Sequence, residues 1–227
     1  MQITHHFLGK EYNFSKNSTK YSQLESELKK NQIIKGSIFL VNQIHGSTAI
    51  EVTKENLSNN LGAIEADSMV TKEINISLII ITADCAPILL FDQENFIIGA
   101  VHAGWRGAKS GVISNAVKKM KSLGAKNIQA VIGPTIRQES YEVQNDFYKS
   151  FNEDSANYKK FFTKNSNQLF FNLPEFVKEQ LTISGVHKIT DQTIDTLTSN
   201  NFYSYRQSTI NQTPNDGRNL SIITISK

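Results

Sequence analysis

FIIGAVHAGWRG, residues 96–107, combines the pattern of a buried strand with a polar segment directly after it. Its apolar, β-branched run to Ala103 predicts a buried strand, and the following Gly104-Trp105-Arg106-Gly107 predicts a turn that carries polar groups at the end of that strand. A helix follows, because apolar residues recur at helical spacing over 112–123 and Gly124 ends the pattern. The next apolar run, 128–132, completes a β-α-β unit, for which we expect parallel strands and a right-handed crossover.

Further strands and helices are predicted on both sides of this unit. The apolar stretch Leu78 to Phe91 contains Asp84 and Pro87, so it indicates two short buried strands separated by a turn. A surface helix is expected around Lys20 to Lys30 and another near Pro174 to Thr182. The remaining predicted strands are 33–41, 48–52, 66–71, 76–82, 88–92, 186–189 and 221–226. Together they predict an α+β fold with mixed sheets.

Composition and charge argue against several classes of protein, nucleic-acid-binding and membrane proteins among them. The 227 residues are 39% hydrophobic, which suits one domain over residues 1–227. The net charge of +3 gives no broad basic field, so we expect no nucleic-acid partner. There is neither a signal-like N-terminus nor an apolar run of membrane-spanning length, so no membrane partner is expected either. Cys85 is the only cysteine, which excludes an intramolecular disulfide and predicts a cytoplasmic location.

Three segments each place a potential metal ligand in a turn beside a buried strand: His45 in QIHG, Cys85 in ADCAP and His102 in VHAGWRG. One thiolate and two imidazoles suit zinc, and three protein ligands leave the fourth position open, as in catalytic sites. Spacings of 40 and 17 residues match no local zinc motif, so the three meet only if the fold brings them together. Taken singly, each residue is better explained as a buried thiol or a hydrogen-bonded histidine than as a metal ligand.

Seven segments together resemble the purine nucleoside phosphorylase family, also called YfiH or laccase-domain proteins and long described as polyphenol oxidases. They occur in the family's order: NQIHG (42–46), ADSMVT (66–71), TADCAPILLFD (82–92), GAVHAGWRG (99–107), IGPTIRQESYEV (132–143), FYSYRQ (202–207) and GRNLSI (217–222). The resemblance implies mixed sheets sandwiched by helices, similar to the cysteine-hydrolase-like fold of bacterial toxins. It also implies that His45, Cys85 and His102 bind zinc.

The family implies phosphorolysis of adenosine, inosine and methylthioadenosine, with adenosine deamination as a second activity, so purine nucleosides and phosphate are the expected partners. Arg106 and Arg206 lie in family motifs and suit bidentate phosphate contacts, although surface ion pairs are the commoner fate of arginine. Asp84 is a candidate general acid or base or an acceptor that orients an imidazole, or it caps its turn. Gln43 either contacts substrate or satisfies backbone groups.

Other residues are weaker candidates or depart from the family pattern. Trp105 and Tyr141 can stack on a purine, or belong to the core. Residues 1–32 form a variable N-terminal segment, short and lysine-rich here, where many members carry a Gly- and Asn-rich one. Asp195 stands where many members have Cys, and Gln207 replaces a second arginine, which can weaken phosphate contacts. His5, His6 and His187 lie outside every motif and are not site candidates; His5 and His6 are expected to be exposed to solvent.

Several alternative functions stay open. A multicopper oxidase is disfavoured because too few histidines remain for a second copper cluster, although adventitious Cu²⁺ can occupy the same three ligands. Cys85 and His102 also suit a Cys-His hydrolase. Editing of peptidoglycan precursors is a third enzymatic possibility. The non-enzymatic alternative is a structural zinc with a fourth protein ligand. No sequence feature indicates an oligomeric state.

Overall fold

The computed structural model describes residues 1–12, 14–15, 21–57, 62–152, 156–214 and 216–227. The strands in these ranges are β1 (Gln2–Leu8), β2 (Ser37–Phe39), β3 (Ala49–Glu51), β4 (Ser68–Thr71), β5 (Ile76–Thr82), β6 (Ala86–Asp92), β7 (Ile97–Ala103), β8 (Gln129–Ile132), β9 (Glu142–Val143), β10 (Phe162–Asn165), β11 (Gln168–Phe171), β12 (Lys188–Asp191) and β13 (Asn219–Ser226). The α-helices are α1 (Tyr21–Lys30), α2 (Lys54–Leu57), α3 (Trp105–Lys109), α4 (Val112–Ser122), α5 (Asn145–Asn152), α6 (Leu173–Ile183) and α7 (Tyr205–Asn211).

A six-stranded mixed sheet carries the stretch 96–107. Its spatial order is β12-β8-β6-β7-β4-β3. Strand β6 runs antiparallel to both β7 and β8. Strands β7 and β8 are therefore parallel, as the β-α-β pattern predicts, but β6 lies between them.

A four-stranded sheet, β1-β13-β5-β2, packs against the first sheet, and a small third sheet has the order β10-β11-β9. Alternate residues of β5 and β13 face opposite sides: Ile80 and Ile223 pack between the two large sheets, whereas Ile79 and Ile222 pack beneath α1. On the far side, α4 and α6 cover the six-stranded sheet. The order of layers is helix, sheet, sheet, helix, which confirms mixed sheets sandwiched by helices.

Several predicted boundaries need correction. The segment 104–107 is not a turn, because α3 begins at Trp105 with Gly104 as its N-cap. The strand expected at 33–41 shortens to β2, and the one expected at 186–189 lies at 188–191. Pro87 belongs to β6 rather than to the turn before it.

Other expectations have different outcomes. The helix around Lys20 to Lys30 is α1, although Lys20 itself lies outside the described residues. Within the described part of the chain, no helix is long and apolar enough to cross a membrane. The single domain over 1–227 and the variable segment 1–32 stay predictions.

Candidate metal centre and active-site pocket

The fold brings His45, Cys85 and His102 to one edge of the six-stranded sheet. Cys85 directly precedes β6, and His102 lies opposite Pro87 in the antiparallel β6–β7 pair. The loop before β3 supplies His45. One potential ligand atom from each residue lies within 4.8 Å of the other two, and Cys85 Sγ is 3.8 Å from His45 Nε2.

The backbone is specialised around this cluster. His45 has a φ of 60° and Asp84 a φ of 85°, in the left-handed region that is energetically unfavourable for residues other than glycine. A Cβ at Gly104 would lie 3.0 Å from both Cys85 Sγ and the His45 ring. Glycine at 104 therefore keeps the space between thiol and imidazole open.

The thiol and the buried imidazole stabilise each other's charge. Burial by itself raises the pKa of Cys85, but the His102 and His45 imidazoles outweigh it and lower the pKa to about 6. Burial by itself lowers the pKa of His102, but the Cys85 thiolate and the Asp67 carboxylate raise it to about 9. A thiolate and two imidazoles within this distance form a donor set that fits a metal ion such as zinc.

Asp67 is the site residue that sequence reasoning missed. It is fully buried, and its Oδ1 accepts hydrogen bonds from His102 Nδ1 at 2.7 Å and from the His45 amide at 2.9 Å. Its Oδ2 accepts the amides of Gly46 at 2.6 Å and Ile44 at 3.2 Å. These bonds outweigh the effect of burial and lower the pKa of Asp67. The available signal was the polar residue just before the strand in ADSMVT.

Asp84 and Gln43 line the pocket, but their bonds go to protein groups. Asp84 accepts from Thr196 Oγ1 at 2.6 Å and from the Arg206 amide at 2.7 Å, so Asp67 and not Asp84 orients an imidazole. The Gln43 side chain donates to the Ile81 carbonyl at 2.7 Å and accepts from the Ile81 amide at 2.9 Å. Of the two interpretations of Gln43, the structure favours the one in which it satisfies backbone groups.

A cavity of about 600 Å³ opens over the His-Cys-His cluster. Among the described residues that line it are three arginines, Arg106, Arg206 and Arg218, and one carboxylate, Asp84. Arg218 was not singled out from the sequence, although it belongs to the motif GRNLSI. The excess of positive charge suits an anionic ligand.

Aromatic rings hold two of these arginines. The Arg106 guanidinium lies 4.5 Å from the centroid of the Trp105 ring. Arg206 lies 5.7 Å from the Tyr141 ring, and both of its terminal nitrogens donate to the Glu142 carbonyl at 3.0 Å. Among the described residues, neither guanidinium forms an ion pair with a carboxylate.

Trp105 and Tyr141 lie at the boundary between pocket and core. Both line the cavity and also pack on aromatic residues behind it, with ring centroids 4.7 Å apart for Trp105–Phe147 and 5.9 Å for Tyr141–Phe171. Burial raises the pKa of Tyr141. The two interpretations, purine stacking and core packing, are therefore compatible.

Asp195 and Gln207, the two positions that depart from the family pattern, make hydrogen bonds to neighbouring segments of the chain. Asp195 accepts from Ser140 Oγ at 2.5 Å and from the Arg137 amide at 3.3 Å. Gln207 donates to the Leu197 carbonyl at 2.9 Å. Neither residue lines the cavity, so their described bonds are structural.

The three remaining histidines lie outside the cavity. His5 is exposed on β1, as expected, but His6 is half-buried; both pair with β13, and as successive strand residues their side chains face opposite sides of the sheet. His187 is exposed just before β12.

Comparison with known proteins gives the family. Residues 16–226 match the sequence profile of the family described as multi-copper polyphenol oxidoreductase laccase. The chain belongs to this family. Within the described residues of this laccase-family chain, one group of three or more metal-ligating side chains occurs, namely His45, Cys85 and His102.

Relatives of this laccase-family chain have names of a different kind. A protein named purine nucleoside phosphorylase from Rickettsia prowazekii is 41% identical over 192 residues, which are 83% of this chain and 78% of the relative. One of the same name from Rickettsia conorii is 36% identical over 227 residues, 93% of this chain and 92% of the relative.

The fold of the laccase-family chain also matches solved structures. The hypothetical protein YfiH of Bacillus licheniformis has a TM-score of 0.82 at 23% identity, covering 99% of this chain and 93% of that protein. A Neisseria meningitidis protein has a TM-score of 0.80 at 24% identity, covering 100% of this chain and 91% of that protein. At these identities the likeness concerns the fold alone.

Proposed function

We propose that this chain is a zinc-dependent purine nucleoside phosphorylase that acts on adenosine, inosine and methylthioadenosine, with adenosine deaminase as a second activity. The observation that carries the proposal is the His45–Cys85–His102 cluster at a cavity lined by three arginines. The names of the Rickettsia relatives support the substrate class.

Zinc is the proposed metal because of the donor set. One thiolate and two imidazoles match its preferred ligands, and a three-residue set leaves a position for water or substrate. Copper can occupy the same ligands when supplied in excess, since it binds such donors more tightly than zinc. The cytoplasm suits this site, because a reducing compartment keeps Cys85 available as a thiolate.

Phosphate is proposed to bind the arginines. A guanidinium presents two parallel donors along each of two edges of its plane, and Arg106 and Arg206 have no carboxylate partner among the described residues. In Arg206 the edge between the two terminal nitrogens binds the Glu142 carbonyl, so the edge that includes Nε is the one proposed to bind phosphate. The rings of Trp105 and Tyr141 hold these two guanidinium groups at the cavity wall, which reduces the entropy lost on binding.

The nucleoside is proposed to occupy the rest of the cavity. A volume of about 600 Å³ falls within the usual range for small-molecule sites. The half-buried rings of Trp105 and Tyr141 offer faces for a purine. Asp84 lies at the cavity wall and is the proposed group for exchanging a proton with the nucleoside, while Gln43 holds the end of β5 in position.

Deamination needs an activated water rather than phosphate. When bound, zinc supplies this chemistry by lowering the pKa of a coordinated water toward neutrality. The same cavity then serves both reactions, with phosphate or water as the second substrate.

The test is a paired assay on zinc-loaded protein with inosine and adenosine, each with and without phosphate. Free base, ribose 1-phosphate and ammonia are measured beside His45→Ala, Cys85→Ala and His102→Ala. We expect phosphate-dependent base release and phosphate-independent ammonia, both lost in all three variants. Tight zinc binding with no turnover of either nucleoside would overturn the proposal.

One observation favours a second candidate, a Cys-His hydrolase. His102 lies between the Cys85 thiol and the buried Asp67 carboxylate, so the three residues resemble a nucleophile, its base and an orienting acid. Zinc distinguishes the candidates: it activates the phosphorylase, whereas it blocks a nucleophilic Cys85. Turnover that is highest in chelator-treated protein would favour the hydrolase.

A further inference from the structure

We propose that Asp67 is the positioning residue that sets the geometry of both histidines at once, so that its carboxylate couples His45 to His102. This inference rests on the metal-binding part of the proposed function. Asp67 lies in no direct contact with the cavity; its position beneath the cluster follows from strand pairing.

The sheet register places Asp67 beside His102. Ser68 pairs with Val101 in the antiparallel β4–β7 ladder, so the preceding residue, Asp67, faces His102. The His102 amide donates to the Asp67 carbonyl at 2.7 Å, and the His102 ring donates from Nδ1 to Oδ1 at the same distance. Because the carboxylate is an acceptor only, it fixes the proton on Nδ1 and leaves Nε2 for a metal.

The same carboxylate also shapes the loop that carries His45. Three successive amides, those of Ile44, His45 and Gly46, converge on it at 2.6–3.2 Å. Successive amides that point at one anion form a nest, and this one requires His45 to adopt its left-handed φ of 60°. The charge of Asp67 therefore holds an unfavourable backbone conformation in place.

All four acceptor sites of Asp67 are occupied by donors, which makes the coupling testable with an isosteric variant. In Asp67→Asn one oxygen becomes an NH2 group. If that group replaces Oδ2, it faces the amides of Ile44 and Gly46, and the His45 loop is released. If it replaces Oδ1, it faces the His45 amide and requires His102 Nδ1 to accept, which moves the ring proton to Nε2. Either orientation therefore disturbs one histidine, through the position of His45 or the ring proton of His102.

Asp92 provides a matched control. It is also fully buried, and it accepts the amides of Glu94, Asn95, Lys126 and Asn127, at the opposite end of β6. Asp92→Asn therefore perturbs the same kind of hydrogen-bond network without touching His45 or His102.

The experiment measures zinc affinity by competition with a chromogenic chelator, and the His102 tautomer by ¹⁵N NMR. We expect Asp67→Asn to lose roughly 10–100-fold in zinc affinity, the usual effect of removing a partner of a metal-bound histidine. Asp92→Asn is expected to retain the wild-type affinity. Equal affinities in wild type and Asp67→Asn would overturn the inference.

The wild-type protein gives an independent readout that does not depend on how well the variant folds. We expect zinc-loaded wild type to carry the His102 proton on Nδ1; a proton on Nε2 would overturn the inference. If the wild type binds zinc and shows this tautomer but turns over no nucleoside, the proposed function fails and the role of Asp67 stands.

Discussion

The two ends of the β6–β7 strand pair each hold a buried carboxylate, but they use it differently. At the turn end, where residues 93–96 join the two strands, Asp92 accepts four backbone amides and the Asn95 side-chain amide. At the open end, where β6 begins at Ala86 and β7 ends at Ala103, Asp67 accepts hydrogen bonds from three backbone amides and from the ring of His102. The two carboxylates have nearly the same number of donors, and both have lowered pKa values.

The difference lies in the partners. Every donor to Asp92 is an amide with a fixed proton, so this end of the sheet is a purely structural junction. At Asp67 one donor is an imidazole that faces a thiol and a cavity with three arginines. Because one donor at the open end is a titratable imidazole, the buried carboxylate there supports a chemical site as well as the backbone.

The largest expected effect comes from removing the thiol at the open end. Cys85→Ala is expected to abolish stoichiometric zinc binding and phosphorolysis, because two imidazoles are too few ligands for a stable zinc site. The fold should persist, since Cys85 is half-buried and belongs to none of the three apolar clusters. Zinc content after dialysis and circular dichroism measure the two effects. A variant that retains one zinc per chain would contradict the assignment.

At the turn end we expect a substitution to lower stability without affecting zinc binding. Asp92→Ala removes the shared acceptor of four backbone amides and of the Asn95 side chain. One hydrogen bond to a charged group contributes about 1.5–3 kcal/mol, and water replaces part of these bonds at the exposed donor residues, so we expect a loss of roughly 3 kcal/mol in the free energy of unfolding. Zinc affinity should not change. Urea denaturation and chelator competition test both points, and a loss of zinc affinity would contradict the separation of the two ends.

A smaller effect is expected from the arginines at the open end. Arg206→Lys replaces a planar fork by a point charge, so we expect the KM for phosphate to rise about tenfold, equivalent to about 1.4 kcal/mol. The kcat should change less than the KM.

Arg137→Lys is the matched control for this prediction. Arg137 makes a bidentate pair with Asp191, at 2.6 and 2.9 Å, outside the cavity. We expect its replacement to leave the KM for phosphate unchanged. Equal shifts in the two variants would argue against phosphate binding at Arg206.

The last prediction concerns the pH dependence of stability at the turn end. Burial raises the pKa of Asp92, but the surrounding amides outweigh it and lower the pKa to about 2, below the ordinary 3.8. Because the folded-state pKa is depressed, the stabilisation is complete above about pH 4 and disappears as the pH falls through 2. The stability difference between wild type and Asp92→Asn should therefore shrink between pH 4 and pH 2. A difference that stays constant over this range would contradict the pKa assignment.

Local patterns predicted the centre of the fold. The apolar runs of β5, β6 and β7 and the amphipathic face of α4 follow from sequence because both depend on short-range periodicity. Strand β1 was missed because QITHHFL contains two histidines and little alternation; its seven residues form a strand through pairing with β13, far away in sequence. The short β10–β11 hairpin was missed because its Lys- and Asn-rich segment carries a weak apolar pattern.

The residues of the candidate site were likewise predicted only in part. Residue type and motif resemblance indicated His45, Cys85 and His102, and the fold does bring them together. Asp67 was not predicted, because it fell inside the strand expected at 66–71, whereas β4 begins at Ser68, and its partner His102 is 35 residues away in sequence. Sequence left open whether Gln43 contacts substrate or backbone, and this depended on the position of Ile81, which only the folded chain defines.

The most direct test of the account is a zinc titration of metal-free protein while phosphate-dependent release of hypoxanthine from inosine is followed. We expect activity to be absent without metal, to rise with added zinc and to saturate at one zinc per chain. Activity that is highest without metal and falls as zinc binds would contradict it, and would favour Cys85 as a nucleophile.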